Sequence, residues 1–240
     1  MNPKEFITPI CNLSYAFITP HKLSTIEEND PRWEITGIIP LKDGKATTKE
    51  GESFISSIEG YFNEYKKELK AASPDKKFKL QEFMPFGTRY CDSKTLKLIK
   101  NEELGEFTGE PMEVYVIKCK RKQKGVSRKD GSTYEREAPR LYTKDAEEIH
   151  KDQSKHLANI DPTSTGRIAF TANPYNHTGS GVGLALILNS VQITSFVEYQ
   201  EQGGAASNPF SKEEGTYTGQ DAPACNPFSS SEEETDASTF

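Results

Sequence analysis

Between Lys118 and Lys129 the chain places Lys118, Lys120, Arg121, Lys122, Lys124, Arg128 and Lys129, with no acid before Asp130. Cations at that density can follow a line of phosphates. Rings set among them can stack on bases, each stack contributing about 1–3 kcal/mol whatever the base, which is how single-stranded nucleic acid is held without sequence preference. Candidate rings stand near the ends of predicted strands: Tyr15 and Phe17, Trp33 beside Arg32, and Tyr175 a few residues beyond Arg167. A cationic run is also the composition of a solvated hairpin. Tyr15 and Phe17 alternate with Ser14 and Ala16, a pattern that would equally send both rings into a core.

Catalytic chemistry finds no comparable support. His21, His150, His156 and His177 fall in different segments. Their closest pair has i, i+6 spacing, not the i, i+4 that sets two metal ligands on one helical face. No GxSxG nucleophile turn is present. The run from Thr178 to Gly183 (TGSGVG) lacks the Lys-Ser/Thr of a phosphate loop and leads into a strand, so it reads as a hairpin turn. The expectation is a protein without enzymatic activity, cofactor or metal.

The elements that must carry the cations and rings are mostly strands. Period-two alternation marks 13–19, 33–39, 78–84, 112–121, 133–143, 166–172 and 182–199, separated by Pro, Gly, Asn and Asp clusters. Within 112–121, Met112, Val114 and Val116 are predicted to face the core. The same face emerges at Lys118, Lys120 and Lys122, and the arm turns near Gly125 or Asp130-Gly131 and returns through Tyr134. One amphipathic helix is predicted from Phe54, Ile58, Tyr61, Phe62, Tyr65 and Leu69, with Glu50 and Glu52 at its start and Lys66, Lys67 and Lys70 near its end, as the helix dipole favours. A weaker helical pattern covers 144–157. Strands of uneven length with one helix between early strands predict a mostly β, five-stranded antiparallel OB-fold barrel with one inserted α-helix; a sandwich is the alternative.

Length and composition fit that size of fold. The 240 residues are 34% hydrophobic, and the mean hydropathy is -0.71, enough for one modest core rather than a large enzyme with a deep centre. The longest apolar stretch, Val182 to Leu188, is far shorter than the ~20 residues of a membrane helix. The opening MNPKEFITPICNLSY shows no signal-peptide pattern. Cys11, Cys91, Cys119 and Cys225 are scattered and form no CxxC pair, which suits reduced thiols in a cytosol.

The net charge of -6 is concentrated at one end. From Gly203 to Phe240 stand Glu213, Glu214, Asp221, Glu232, Glu233, Glu234 and Asp236 against Lys212 alone, and Ile, Leu, Val and Met are missing. Such a segment cannot bury enough apolar surface to offset chain ordering. The expected organisation is therefore a barrel domain over 1–202 and a disordered acidic tail over 203–240. NPF occurs twice in that tail, at Asn208–Phe210 and Asn226–Phe228, and the last residue is Phe240. Either the tail docks on partners or it serves only to keep the chain soluble.

The order YAFITP, PRWEITGIIP, a helix, VYVIKCK, GRIAFTANPYN, GVGLALILNSVQITSFVEYQEQGG and an acidic tail ending in Phe240 resembles the single-stranded DNA-binding proteins of T-seven-like podophages, over most of the chain. The resemblance implies an OB-fold core with an inserted helix that coats single-stranded DNA in the cytoplasm of the infected bacterial host during DNA replication, recombination and repair. It implies an acidic tail, including Glu232, Glu233, Glu234, Asp236 and Phe240, that contacts the phage DNA polymerase and helicase-primase, and it leaves a homodimer open. Carried over by position, it assigns DNA contacts to Lys4, Arg32, Lys118 or Lys120, and Tyr175. The residue reading adds Tyr15, Trp33, Arg121, Lys122, Lys124 and Arg167. After its Pro-Tyr step the family carries a basic residue and a tryptophan where this chain has Asn176 and His177, so a second stacking ring is absent there or supplied by Trp33. Two rivals stay open: an adaptor working through its NPF motifs, and an OB protein for RNA or duplex.

Overall fold

The computed structural model describes residues 1–24, 30–99, 109–126 and 130–199. Arg128, Lys129, Cys225 and the predicted tail, with both NPF runs and Phe240, lie outside the described residues. The strands are β1 (Lys4–Ile7), β2 (Cys11–Phe17), β3 (Arg32–Lys42), β4 (Lys45–Ala46), β5 (Phe86–Asp92), β6 (Leu98–Ile99), β7 (Pro111–Lys122), β8 (Lys124–Val126), β9 (Thr133–Glu135), β10 (Arg140–Tyr142), β11 (Thr165–His177) and β12 (Gly181–Ser195). Helix α1 spans Lys49–Ala72, and a short 3-10 helix spans Lys151–Ala158.

Five of these strands close a ring in the order β2-β3-β7-β12-β11. β3 runs antiparallel to β7 from Arg32↔Lys122 to Pro40↔Val114, and β11 and β12 form a long hairpin. The ring closes where β11 meets β2 at Thr165↔Asn12 and β12 meets β7 at Ile187↔Lys120, a parallel contact in an otherwise antiparallel ring. In barrel order the strands run 1-2-3-5-4, the Greek-key arrangement of an OB barrel. The hairpin turn is where the glycines predicted it. Gly181 has φ +83, and a side chain there would collide with the Lys79 carbonyl at 2.5 Å.

Alternation sorts each strand into an inside and an outside. Inside lie Leu13, Trp33, Ile35, Ile39, Tyr115, Ile117, Cys119, Ile168, Phe170 and Leu184, all buried. Gly37 leaves room for Ile168 Cδ1 and Cys11 Sγ, 3.0 and 3.1 Å from where a Cβ would stand. This corrects one expectation. The barrel core takes the odd face of β7, whereas Val114 and Val116 face a smaller cluster outside the ring with Ile38, Cys91 and Leu96, and Met112 packs on its margin. Both faces of β7 are apolar at that end, so alternation alone could not say which one the barrel closes over.

Helix α1 forms where its pattern predicted, between the second and third strands of the ring. Thr48 caps it by accepting the Gly51 N–H at 3.1 Å, a contribution of about 1 kcal/mol. Its buried stripe is Phe54, Ile58, Tyr61, Phe62 and Tyr65; Phe54 and Tyr61 meet Phe6 edge-on, Phe54 meets Phe170 edge-on, and Phe6 and Phe170 stack on each other. The predicted strand over 78–84 is not formed. That segment touches β12 through a single bridge, Leu80↔Val182, and the true strand begins at Phe86, beyond Pro85. The predicted helix over 144–157 reduces to the 3-10 turns of Lys151–Ala158, and 133–143 divides into β9 and β10.

Candidate nucleic-acid interface

β7 changes partners along one edge. Its first half pairs with β5, from Asp92↔Pro111 to Phe86↔Ile117; its second half touches β12 at Lys120. Between them the Lys118 N–H donates to the Pro85 carbonyl at 2.6 Å. A groove of about 580 Å³ opens at this fork. Its floor is the outward row Val116, Lys118, Lys120 and Lys122 of β7 with Ala185 and Ile187 of β12, and Arg32 joins from the neighbouring strand. Phe83, Phe86 and Arg89 line it from the β5 side, Tyr134 and Arg136 from the β8–β9 hairpin, and Tyr175 from the end of β11.

The lining is cationic on an apolar bed. Arg32, Arg89, Lys118, Lys120, Lys122 and Arg136 line it against one acid, Asp30. Glu34 lies beneath, 1% exposed; its Oε1 accepts from Ser24 Oγ at 2.7 Å, and its Oε2 stands 3.4 Å from Arg32 Nε and 3.8 Å from Lys118 Nζ. Asp30 pairs with Lys122 at 3.0 Å and with Arg32 at 3.1 Å. Partial burial pulls the Asp30 carboxyl up, but Lys122 and Arg32 outweigh it and hold it below the ordinary carboxylate range. The Lys122–Asp30 pair is partly exposed, and such pairs contribute only ~0–1 kcal/mol. A phosphate can therefore draw Lys122 away from Asp30 at little cost, whereas Arg32, 7% exposed, is held between Asp30 and Glu34.

The rings of the groove are held by specific means. Tyr175 stands opposite Gly183, and a Cβ at Gly183 would come within 2.8 Å of the Tyr175 hydroxyl. That hydroxyl donates to Gln81 Oε1 at 2.5 Å, and burial raises the phenol's pKa, keeping it a neutral donor. The Tyr134 ring crosses Gly125 and carries the Arg136 guanidinium 4.5 Å from its centroid. Phe83 is 75% exposed.

Of the residues expected to contact DNA, the structure brings Arg32, Lys118, Lys120, Lys122 and Tyr175 together. Trp33 is turned inward, 3% exposed, with Nε1 donating to the Thr19 carbonyl at 3.1 Å. Strand alternation makes this unavoidable, because neighbours such as Arg32 and Trp33 cannot share a face. The ring is therefore closed to a base. Arg121 also leaves the groove: its Nε donates to the Glu137 carbonyl at 2.9 Å. Lys124 pairs with Glu135 at 3.3 Å on the exposed hairpin. Lys4 holds its ammonium 5.2 Å above Phe6 and 5.8 Å above Tyr61, and Arg167 reaches the Thr8 carbonyl at 3.5 Å. Tyr15, half exposed, takes a left-handed φ of +48 where β2 bulges against β3. These four residues lie outside the groove.

Sequence reasoning missed Phe83, Arg89 and Arg136 and gave Tyr134 only a place in the returning arm. Arg136 and Tyr134 had a signal, since they are the first ring and cation after the turn. Phe83 and Arg89 had none, because their place depends on where β5 leaves β7.

The fold is that of an OB barrel whose outward cations lie on its second and third strands, the face that OB proteins use for oligonucleotides. Among solved structures it is similar to gp2.5, a single-stranded DNA binding protein encoded by bacteriophage T7, at 15% identity over 88% of this chain and 100% of that chain, with a TM-score of 0.54. Similar also is the single-stranded DNA-binding protein of bacteriophage Enc34, at 12% identity over 85% of this chain and 88% of that chain, TM-score 0.44. No protein-family model matches the chain, and no curated protein matches it.

Proposed function

We propose that this chain is a non-enzymatic, sequence-tolerant single-stranded DNA-binding protein. The observation that carries the reading is the groove itself: six cations and three accessible rings, with Arg32, Lys118, Lys120 and Lys122 on the second and third strands of an OB barrel and the rings brought to them from β9, β11 and the segment before β5. Phosphates follow Lys118, Lys120 and Lys122, with Arg32, Arg89 and Arg136 beside them. Bases stack on Tyr175, Tyr134 and Phe83. The likeness of the fold to gp2.5 of bacteriophage T7, whose ligand is single-stranded DNA, supports the same ligand here. Competition between single-stranded DNA, RNA and duplex for the purified chain tests the choice; a preference for RNA or duplex would overturn it.

The acidic segment 203–240 is proposed to recruit a phage DNA polymerase and helicase-primase, with its acids and Phe240 as the docking groups. Tethered to the barrel it has roughly millimolar effective concentration, enough to compete for the cationic groove until DNA releases it. Deleting 203–240 is expected to tighten DNA binding and to abolish polymerase capture. Unchanged affinity would remove the competition, and a partner captured through the NPF motifs alone would favour an adaptor.

A further inference from the structure

A second hollow, of about 540 Å³, lies at the end of the barrel next to the groove, and Arg136 lines both. The ridge that carries Arg136 is fixed. The Gln123 N–H donates to the Pro31 carbonyl at 3.0 Å, the Arg136 N–H donates to the Gln123 carbonyl at 2.8 Å, and Arg121 holds the adjacent Glu137 carbonyl. Arg121 is thus a positioning residue for the ridge. From there the guanidinium, stacked on Tyr134, can serve a phosphate between the two depressions.

The chemistry of the hollow differs from that of the groove. Its accessible apolar surface comes from Pro20, Ala138 and Ile149, with the buried Trp33 behind them, and Ser154 and His150 add polar groups that can meet a base edge. Glu137 and Glu148 also line it, and both raise the pKa of Arg140 after the larger effect of Tyr142. The interior is therefore suited to a neutral, flat, partly polar body rather than to a phosphate. Cations stand at its margin: Arg136, Arg140 and Lys151, the last two exposed.

We propose that this hollow is a second nucleotide subsite, which takes bases of a strand that continues from the groove past Arg136, with Arg140 and Lys151 meeting the flanking phosphates. The proposal rests on the groove binding single-stranded DNA. Trp33, the single tryptophan of the chain, stands at the wall of the hollow and not of the groove, so its emission is a reporter placed at the second subsite.

The test uses the full chain with oligo-dT of about 5 and of about 15 nucleotides, lengths that bracket the span of one OB fold. The short strand is expected to bind without changing Trp33 emission, and the long one to bind and change it. The double variant Arg140→Gln, Lys151→Gln is expected to leave short-strand affinity unchanged and to make the long strand's log-log salt slope shallower by about 1.4, two phosphates at ~0.7 each. An unchanged Trp33 signal, or equal salt slopes for variant and parent on the long strand, would overturn the second subsite while leaving the groove intact. If neither strand binds, the groove reading falls and the second subsite with it.

Discussion

Arg32 Nε stands 3.4 Å from Glu34 Oε2 beneath the groove, an ion pair whose side chains are 7% and 1% exposed. Arg32 would keep Asp30 at 3.1 Å, so removing Glu34 costs less than the ~3–5 kcal/mol of a buried charge stripped of every partner, about 1–3 kcal/mol. Glu34→Ala is therefore expected to lower unfolding free energy by about that amount in urea titrations. Replacing Arg32 and Glu34 together by apolar residues of similar volume is expected to recover most of the loss while weakening DNA binding. A Glu34→Ala protein as stable as the parent would contradict the pairing.

Tyr175 stands opposite Gly183. Tyr175→Ala is expected to weaken oligo-dT binding by about 1–3 kcal/mol, the contribution of one stacked base. Tyr175→Phe keeps the ring and loses only the bond to Gln81, so binding is expected to fall by ~1 kcal/mol or less. Gly183→Ala places a methyl group against the Tyr175 hydroxyl and Gln81, and is expected to mimic Tyr175→Ala in fluorescence-anisotropy titrations. Equal affinity for all three variants and the parent would assign Tyr175 to packing alone.

Phe83 and Trp33 are opposite cases, one 75% and the other 3% exposed. Phe83→Ala is expected to weaken DNA binding by about 1–3 kcal/mol with no change in melting temperature. Trp33→Phe removes a core indole and its bond to Thr19, so it is expected to lower stability while the folded fraction retains oligonucleotide affinity. Binding and melting measured on the two variants separate a stacking ring from a packing ring.

Stability is expected to fall toward both ends of the pH range. Desolvation pushes the Cys11 thiol up to about 11 from an ordinary 9.0, and burial followed by the Asp92 charge does the same for Cys91. A raised pKa favours the folded thiol below 9.0, and that stabilisation is lost as pH climbs toward about 11. At the acid end, the Thr95, Gly109 and Lys94 N–H groups hold the Asp92 carboxylate well below its ordinary range, Thr95 most strongly. Its contribution is present above that range and is lost as pH falls through it. Asp92→Asn is expected to flatten the acid limb of melting temperature against pH and, because the Asp92 charge also raises the Cys91 thiol, to soften the alkaline limb slightly; an acid limb as steep as the parent's would contradict the role given to Asp92.

The barrel and helix were legible because they rest on local periodicity: the stripe from Phe54 to Leu69, the alternation around Ile117, the glycines of the β11–β12 turn. The cationic row Lys118, Lys120 and Lys122 was legible for the same reason. What period two could not supply was which face of β7 closes the barrel, since both are apolar from Val114 to Ile117. Trp33 followed Arg32 into the expected site only by proximity in sequence, although alternation separates them. Phe83 and Arg89 reach the groove through a fork between β5 and β12, a relation between strands about a hundred residues apart that no local pattern carries.

The most direct measurement is the affinity of the full chain for oligo-dT across a salt series, with Lys118→Glu, Lys120→Glu as the matched variant. The expected result is tight binding in dilute buffer that weakens along a log-log slope of about -0.7 per phosphate neutralised, and a variant that is folded but loses both affinity and slope. No binding in dilute buffer, or binding indifferent to salt and to the two substitutions, would contradict the assignment of the groove to single-stranded DNA.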